Sequence, residues 1–251
     1  MTMPRFATCP APQIDTYRPA ADQHNGAALL IFPGGSYRML AEHEGRGYAE
    51  FFAAQGFTCF VVHYRLGAQG HRHPAMLEDA LWAIGSVRSR AAEFGLDPQR
   101  IGVMGSSAGG HLAAHALVAH ADYTSPISLR PDFGVLCYPV VTMLGEHAHA
   151  ESRGNLLGEA PTDALLAEAS CERRVNADTP PCFIWHTVED ASVPVEHSLL
   201  FATALRRHAV PFELHLYEMG PHGMGLDTEL PWGRECVRWL KGDRGVDFGL
   251  N

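Results

Sequence analysis

Residues 101–113 read IGVMGSSAGGHLA, and this stretch decides how the rest of the chain is interpreted. An apolar run ends at Met104 and predicts a buried strand, while the residues from Ala108 onward carry the spacing of a helix. A G-x-S-x-G motif stands between them at 105–109. In this context the motif is typical of a sharp turn that raises a serine hydroxyl above a sheet. The first serine occupies the variable position, so the second, Ser107, is the candidate nucleophile.

The same alternation of apolar runs and helical stretches extends over most of the chain. Strands that are continuous apolar runs, separated by helices, predict a mostly parallel sheet covered on both faces. We predict one α/β domain over residues 1–251, in which 144–181 is a small lid insertion. The predicted strands are 27–32, 57–64, 100–104, 133–141, 182–187 and 212–218, and the predicted helices are 48–55, 74–94, 108–120, 195–208 and 234–240.

A serine hydroxyl is a weak nucleophile and needs a base that is itself oriented by a carboxylate. In this architecture the acid and then the histidine follow late strands. Asp190 follows the predicted strand 182–187, and His222 follows 212–218 in a turn rich in glycine and proline. Both lie just beyond the carboxyl end of a strand, where open α/β sheets place their sites. Glu189, the neighbour of Asp190, stays open as an alternative acid.

Fifteen histidines make any single one a weak candidate, and His222 stands out by its position after a strand and its glycine neighbours. His111 is close to Ser107 in sequence, but it lies one turn into the predicted helix, so we expect it to point elsewhere. The predicted catalytic residues are therefore Ser107, Asp190 and His222.

A Gly-Gly loop follows the first predicted strand, in the sequence PGGSY at 33–37. Acyl transfer needs two backbone N–H groups that converge on the developing oxyanion. We predict that Gly35 or Ser36 supplies one of them. Ala108, which directly follows the candidate nucleophile, supplies the other.

The composition excludes several other classes of protein. The 251 residues are 46% hydrophobic and 19% charged, which is enough apolar material for a core and excludes a disordered chain. A net charge of −9 without clustered Lys or Arg argues against binding of nucleic acid or of a membrane surface. No window approaches the length of a transmembrane helix, and the N-terminal residues lack the apolar segment of a secretory signal. Six scattered cysteines are interpreted as small buried residues in a reducing compartment, so we predict a cytoplasmic protein.

Two histidine pairs could suggest a metal, HRH at 71–73 and HAH at 147–149. Neither has a cysteine or carboxylate cluster nearby at ligand spacing, and we interpret both as solvated loop histidines. The chain contains neither a phosphate-binding loop motif nor G-x-G-x-x-G after a strand. We therefore predict no metal and no cofactor.

Several segments together resemble the α/β-hydrolase superfamily, and more narrowly the small bacterial carbohydrate esterases of the acetylxylan and feruloyl esterase type. The resemblance extends from about residue 27 to residue 240 and implies an α/β-hydrolase fold. It rests on PGGSY (33–37), HYRL (63–66), HPAMLEDALWAI (73–84), GSSAGGHLA (105–113), FIWHTVEDASVPVEHSLLFATAL (183–205) and GPHGMGL (220–226).

Position by position, the resemblance implies Ser107 as nucleophile, Asp190 as acid and His222 as base. The oxyanion loop of the wider superfamily reads His-Gly-Gly-Gly. Here Pro33 stands in place of that histidine and Ser36 in place of the last glycine. Which loop N–H points inward therefore stays open.

The resemblance implies a serine esterase acting on a small-molecule ester, namely short acyl groups such as O-acetyl on xylan-derived or other sugars. The shortness of 144–181 predicts an open site that suits bulky alcohols. An amidase-type hydrolase on the same triad, such as an arylformamidase or a small peptidase, remains an alternative. A non-catalytic binding protein on the same scaffold is a second one. The sequence leaves open whether the chain forms a homo-oligomer.

Overall fold

The computed structural model describes residues 11–242, which form one mixed sheet with helices on both faces. The strands of this part of the chain are β1 (Gln13–Tyr17), β2 (Ala28–Phe32), β3 (Thr58–His63), β4 (Ile101–Ser106), β5 (Gly134–Cys137), β6 (Cys182–Thr187) and β7 (Phe212–Tyr217). They lie in the order β1-β3-β2-β4-β5-β6-β7. Strand β1 is antiparallel to β3, and every other neighbouring pair is parallel. The predicted α/β fold with a mostly parallel sheet is confirmed.

The helices cover the two faces of this sheet. They are α1 (Tyr48–Ala53), α2 (Ala75–Ser89), α3 (Ala91–Phe94), α4 (Ser107–Ala119), α5 (Ala150–Leu157), α6 (Asp163–Glu168), α7 (Glu196–Arg207) and α8 (Trp232–Leu240). In β2, Leu30 and Phe32 pack in the core covered by α2, α4 and α7. Leu29 and Ile31 pack in the core covered by α1 and α8. Because successive side chains of a strand point to opposite faces, a strand buried on both sides is a continuous apolar run.

Outside segment 144–181, three elements differ from those predicted. Strand β1 was not expected, because its sequence QIDTY is only half buried at the edge of the sheet. The predicted strand 133–141 is shortened to β5, because Tyr138 takes a left-handed φ of 35° and a proline follows it. The predicted helix 74–94 is divided into α2 and α3 at Arg90, whose φ is −108°.

The segment 144–181 contains α5, α6 and a 3₁₀ turn at Cys171–Arg173. Asn155 of α5 donates its side-chain N–H to the carbonyl of Ser36, at 2.8 Å, so the segment packs against the loop after β2. His197 of α7 donates to the carbonyl of His147, at 2.8 Å. A role of this segment as a lid, and the extent of the domain over 1–251, stay predictions.

The cysteines in the described part of the chain are free and buried, namely Cys59, Cys137, Cys171, Cys182 and Cys236. This confirms their interpretation as small buried residues, while Cys9 lies outside the described residues. Burial raises the pKa of the Cys137 thiol to about 12, which keeps it protonated and inert. Within residues 11–242, no helix has both the length and the apolar character needed to cross a bilayer.

Candidate active site

Ser107 is the first residue of α4 and has a left-handed backbone φ of 53°. A non-glycine residue in this region is strained, and such strain is concentrated at functional sites. The flanking glycines allow the turn. A Cβ on Gly105 would overlap the carbonyl of Gly109, and a Cβ on Gly109 would overlap the carbonyl of Phe32. The backbones of β2, β4 and α4 can therefore meet closely around Ser107.

The structure brings the three predicted catalytic side chains together. The Oγ atom of Ser107 lies 2.8 Å from Nε2 of His222, and Nδ1 of His222 lies 2.6 Å from Oδ2 of Asp190. Because a carboxylate only accepts hydrogen bonds, Nδ1 of His222 carries the proton. In the neutral ring, Nε2 is then free to accept the hydroxyl proton of Ser107. These residues follow β4, β6 and β7, whose carboxyl ends meet at one edge of the sheet.

The carboxyl group of Asp190 accepts several hydrogen bonds. The backbone N–H groups of Ser192 and Val193 donate to Oδ1 at 2.9 Å, and Nε2 of His186 lies 3.3 Å from Oδ2. Burial alone raises the pKa of Asp190, but the hydrogen bonds from His186, His222 and Val193 outweigh it and hold the pKa well below its usual range. Asp190 is therefore ionised at neutral pH, opposite the protonated nitrogen of His222.

The two competing residues do not join this arrangement. Glu189 is exposed, and the carboxylate that contacts His222 belongs to Asp190. His111 points away from Ser107, as expected. Its Nε2 donates to the carbonyl of Ala169 at 2.7 Å, which leaves Nδ1 to accept a hydrogen bond from the hydroxyl of Tyr37 at 2.7 Å.

The loop after β2 lies against the Ser107 turn, since a Cβ on Gly34 would stand 3.1 Å from Cβ of Ser107. The N–H of Gly34 is already used, because it donates to Oε2 of Glu44 at 2.8 Å. Within the described residues, the N–H groups of Gly35 and Ser36 have no hydrogen-bond partner. The N–H of Ala108 lies in the first turn of α4, where N–H groups lack an intrahelical acceptor. The predicted donors are thus unpaired, and their catalytic role stays a prediction.

Contacts with several other segments stabilise the conformation of the loop after β2. Ser36 and Tyr37 both have a left-handed φ, 55° and 58°. The carbonyl of Ser36 accepts from Asn155, and the carbonyl of Tyr37 accepts from the N–H of Gly67 at 2.7 Å. The Tyr37 hydroxyl is anchored on His111. These contacts hold Ser36 and Tyr37 in a left-handed backbone conformation that is strained for two consecutive non-glycine residues.

One histidine of each pair that suggested a metal is placed differently from what was expected. His73 is not solvated: its side chain is 5% exposed and stacks on His115, with ring centroids 5.1 Å apart. His149 accepts a hydrogen bond from the N–H of Ser152 and so caps α5. Among residues 11–242, no group of three or more His, Cys, Asp or Glu side chains is arranged to hold a metal ion.

Three residues around the site were missed by the sequence reasoning, namely Glu44, Tyr138 and His186. Glu44 contacts the loop after β2, Tyr138 packs edge-to-face on His222 with ring centroids 5.0 Å apart, and His186 contacts Asp190. No local pattern marks Glu44 or Tyr138. His186 is a polar residue within a mostly apolar strand, CFIWHT, and this was the one available signal.

The sequence is similar to a known protein family and to characterised proteins. A family model described as BD-FAE matches residues 14–205. Endo-1,4-beta-xylanase B of Butyrivibrio fibrisolvens is 40% identical over 212 residues, which cover 80% of this chain and 33% of that protein. Acetylxylan esterase of Xylanibacter ruminicola is 32% identical over 226 residues, which cover 86% of this chain and 46% of that protein. The chain thus spans a third to about half of the length of these curated relatives.

Among solved structures, the chain is similar to an acetyl ester-xyloside bifunctional hydrolase from Caldicellulosiruptor lactoaceticus. The TM-score is 0.86 at 40% sequence identity, and the match covers 96% of this chain and 91% of that chain. The family model and the fold agree over most of the described residues. The chain therefore belongs to the BD-FAE family and has the α/β-hydrolase fold.

Proposed function

We propose that the chain is a serine carboxylesterase that removes short acyl groups, O-acetyl above all, from xylan-derived or other sugars. The observation that carries the proposal is the pair of hydrogen bonds from Ser107 through His222 to Asp190, at 2.8 and 2.6 Å. Nucleophile, base and orienting acid are recognised by this geometry rather than by their order in the chain. The unpaired N–H groups of Gly35 and Ser36 lie in the loop that contacts Ser107.

In the first step, His222 takes the hydroxyl proton of Ser107 as the oxygen attacks the ester carbonyl. The imidazolium that forms is stabilised by the ionised carboxylate of Asp190, which also keeps the ring in the productive tautomer. Backbone N–H groups of Ala108 and of Gly35 or Ser36 donate to the developing oxyanion. Each such donor is worth about 3 kcal/mol of transition-state stabilisation.

Collapse of the tetrahedral intermediate breaks the bond to the alcohol, which leaves with the proton from His222. The acyl group then remains on Ser107 as an ester. In the second step, His222 takes a proton from water, the resulting hydroxide attacks the acyl-enzyme, and the acid is released while Ser107 regains its proton.

The proposed substrate class rests on the relatives and on the exposure of the site. The two proteins named for acetyl esters, from Xylanibacter ruminicola and Caldicellulosiruptor lactoaceticus, act by name on acetylated xylan and on acetyl esters and xylosides. The side chain of His222 is 20% exposed, so the position from which the alcohol leaves reaches solvent. An open exit suits an alcohol as bulky as a sugar.

The proposal is tested by hydrolysis of p-nitrophenyl acetate, butyrate and octanoate and of acetylated xylo-oligosaccharides. Wild type is compared with Ser107→Ala and with Ser128→Ala, an exposed serine before β5 that serves as the matched control. We expect turnover of the short esters and of the sugar acetates, lost in Ser107→Ala and kept in Ser128→Ala.

Other outcomes separate the alternatives. Turnover of p-nitrophenyl acetate without sugar deacetylation would keep the esterase and reject the sugar substrate. Turnover of an N-formyl aryl amine, with none of the esters, would replace the esterase with an amidase. Absence of all turnover, together with no reaction of Ser107 with a fluorophosphonate probe, would reject a serine hydrolase in favour of a binding protein.

A further inference from the structure

Glu44 places a buried carboxyl group beside the candidate site, although the proposed hydrolysis gives it no role. It lies in a π-helical segment, His43–Gly47, and is 2% exposed. Within the described residues, its one ion-pair partner is His43, whose Nε2 lies 3.9 Å from Oε1. A carboxyl group in such surroundings is costly unless its oxygens accept hydrogen bonds. Both oxygens do, and they contact two different parts of the site.

The first contact concerns the oxyanion loop. Oε2 of Glu44 accepts the N–H of Gly34 at 2.8 Å. A Cβ on Gly34 would overlap Oε2 and would stand 2.8 Å from the carbonyl of Ser106. The backbone of Gly34 is therefore in close contact with the Glu44 carboxyl on one side and with the turn that carries Ser107 on the other. The next two N–H groups along the chain, those of Gly35 and Ser36, are the proposed oxyanion donors.

The second contact concerns the loop that carries His222. Oε1 of Glu44 accepts the hydroxyl proton of Tyr138 at 2.7 Å, and the same hydroxyl accepts the N–H of Gly225 at 3.0 Å. The Tyr138 ring also packs edge-to-face on the His222 ring, at an interplanar angle of 67°. Tyr138 thus contacts His222 through its ring. Through its hydroxyl it contacts Gly225, three positions after His222.

We propose that Glu44 is a positioning residue that holds the oxyanion loop, through Gly34, and His222, through Tyr138, in register with Ser107. Each of its two oxygens accepts one hydrogen bond, so a single side chain connects the loop after β2 with the loop that carries His222. Burial raises the pKa of the Glu44 carboxyl, and the hydrogen bonds from Tyr138 and Gly34 oppose that rise. The kinetic part of this proposal rests on the proposed esterase function.

The test compares Glu44→Ala, Glu44→Gln and Tyr138→Phe with Glu50→Ala. Glu50 is a matched control, since it is an exposed glutamate of α1 that pairs with Arg46. The variants are assayed on p-nitrophenyl acetate below the melting temperature of each, with rates given per fluorophosphonate-titrated site. We expect Glu44→Ala to lower kcat on the order of 10²-fold, the loss that follows removal of one oxyanion donor, with KM changed by less than about twofold.

Glu44→Gln is the conservative variant. Its amide oxygen can still accept from Gly34, while its NH₂ group faces the Tyr138 hydroxyl, so we expect kcat between those of wild type and Glu44→Ala. Tyr138→Phe keeps the ring on His222 and removes only the hydroxyl, so we expect a loss smaller than that of Glu44→Ala. Glu50→Ala should match wild type in both kcat and KM.

Hydrogen exchange of the peptides 33–39 and 220–226 gives a readout that does not depend on turnover. We expect Glu44→Ala to speed exchange in both peptides and to leave exchange in α2 unchanged. A Glu44→Ala protein with a lower melting temperature but an unchanged kcat per titrated site would overturn the positioning role. If wild type neither hydrolyses esters nor reacts with the probe, the proposed function fails, and the exchange experiment decides this inference separately: unchanged exchange in both loops would overturn it.

Discussion

The hydroxyl of Tyr37 lies 2.7 Å from Nδ1 of His111, and this hydrogen bond joins the loop after β2 to the helix that begins at Ser107. Both side chains are fully buried. The opposite nitrogen of His111 donates to the carbonyl of Ala169, in segment 144–181. A single neutral imidazole therefore connects the loop after β2, helix α4 and segment 144–181.

We expect Tyr37→Phe to destabilise the fold by ~1–3 kcal/mol, because it leaves a buried imidazole nitrogen without its donor. Since Tyr37 directly follows Ser36, kcat should fall as well. Urea unfolding and ester hydrolysis measure the two effects. Tyr17→Phe is the matched control, because the Tyr17 hydroxyl, on the edge strand, has no hydrogen-bond partner among residues 11–242. Equal stability of the two variants would contradict the anchoring role of this bond.

The adjacent carboxylates Asp190 and Glu189 allow a direct comparison. Asp190→Asn keeps the shape of the side chain but offers His222 an amide, which favours the wrong tautomer, and a loss of kcat on the order of 10⁴-fold is expected. Glu189→Gln alters an exposed side chain and should leave kcat unchanged. Hydrolysis of p-nitrophenyl acetate by both variants decides the matter. A larger loss in Glu189→Gln than in Asp190→Asn would reverse the assignment of the acid.

Two glycine-to-alanine substitutions should have opposite effects. A Cβ on Gly109 would overlap the carbonyl of Phe32, so Gly109→Ala must displace α4 from β2, at a cost of ~1–3 kcal/mol, and disturb Ser107. A Cβ on Gly154, in α5, meets no atom within 4 Å. Gly154→Ala should therefore raise the free energy of unfolding by up to about 1 kcal/mol. Thermal unfolding together with ester hydrolysis tests the pair, and full activity of Gly109→Ala would refute the close approach.

Buried neutral histidines predict a fall in stability at mildly acidic pH. Burial lowers the pKa of His111 and of His197 to about 4. Unfolded histidine titrates near about 6.5, so between these values the unfolded chain binds more protons and the free energy of unfolding rises with pH. The contribution of each histidine is complete above about pH 6.5 and is lost as the pH falls toward 4, by up to ~1.4 kcal/mol per pH unit.

Urea unfolding at several pH values between about 4.5 and 7.5, a range that covers most of both titrations, measures how the free energy of unfolding changes with pH. The substitution His197→Gln removes one titrating group and should reduce the slope by about one proton. The same substitution at His208, which is exposed at the end of α7, serves as the control. A slope that is identical in wild type and His197→Gln would contradict the prediction.

The sequence was most informative where local chemistry alone specifies the backbone. Mostly apolar runs predicted six of the strands, since a strand in a sheet that is covered on both faces has few polar residues along it. The edge strand β1 was not predicted because its residues are half exposed and, within residues 11–242, pair with only one neighbouring strand, β3. The end of β5 was misplaced because the apolar pattern continues past Tyr138, whereas its left-handed φ takes the chain out of the sheet.

The sequence by itself determined which residues are candidates for the chemistry. Ser107 was marked by its glycines, and Asp190 and His222 by the strands that precede them. Parallel strands align their carboxyl ends, so residues that follow separate strands meet without any further signal. Only the tertiary structure decided what surrounds them. Glu44 and Tyr138 are 94 residues apart in the chain and meet under the site at 2.7 Å, because a hydrogen bond between two distant buried side chains leaves no periodic pattern in either segment.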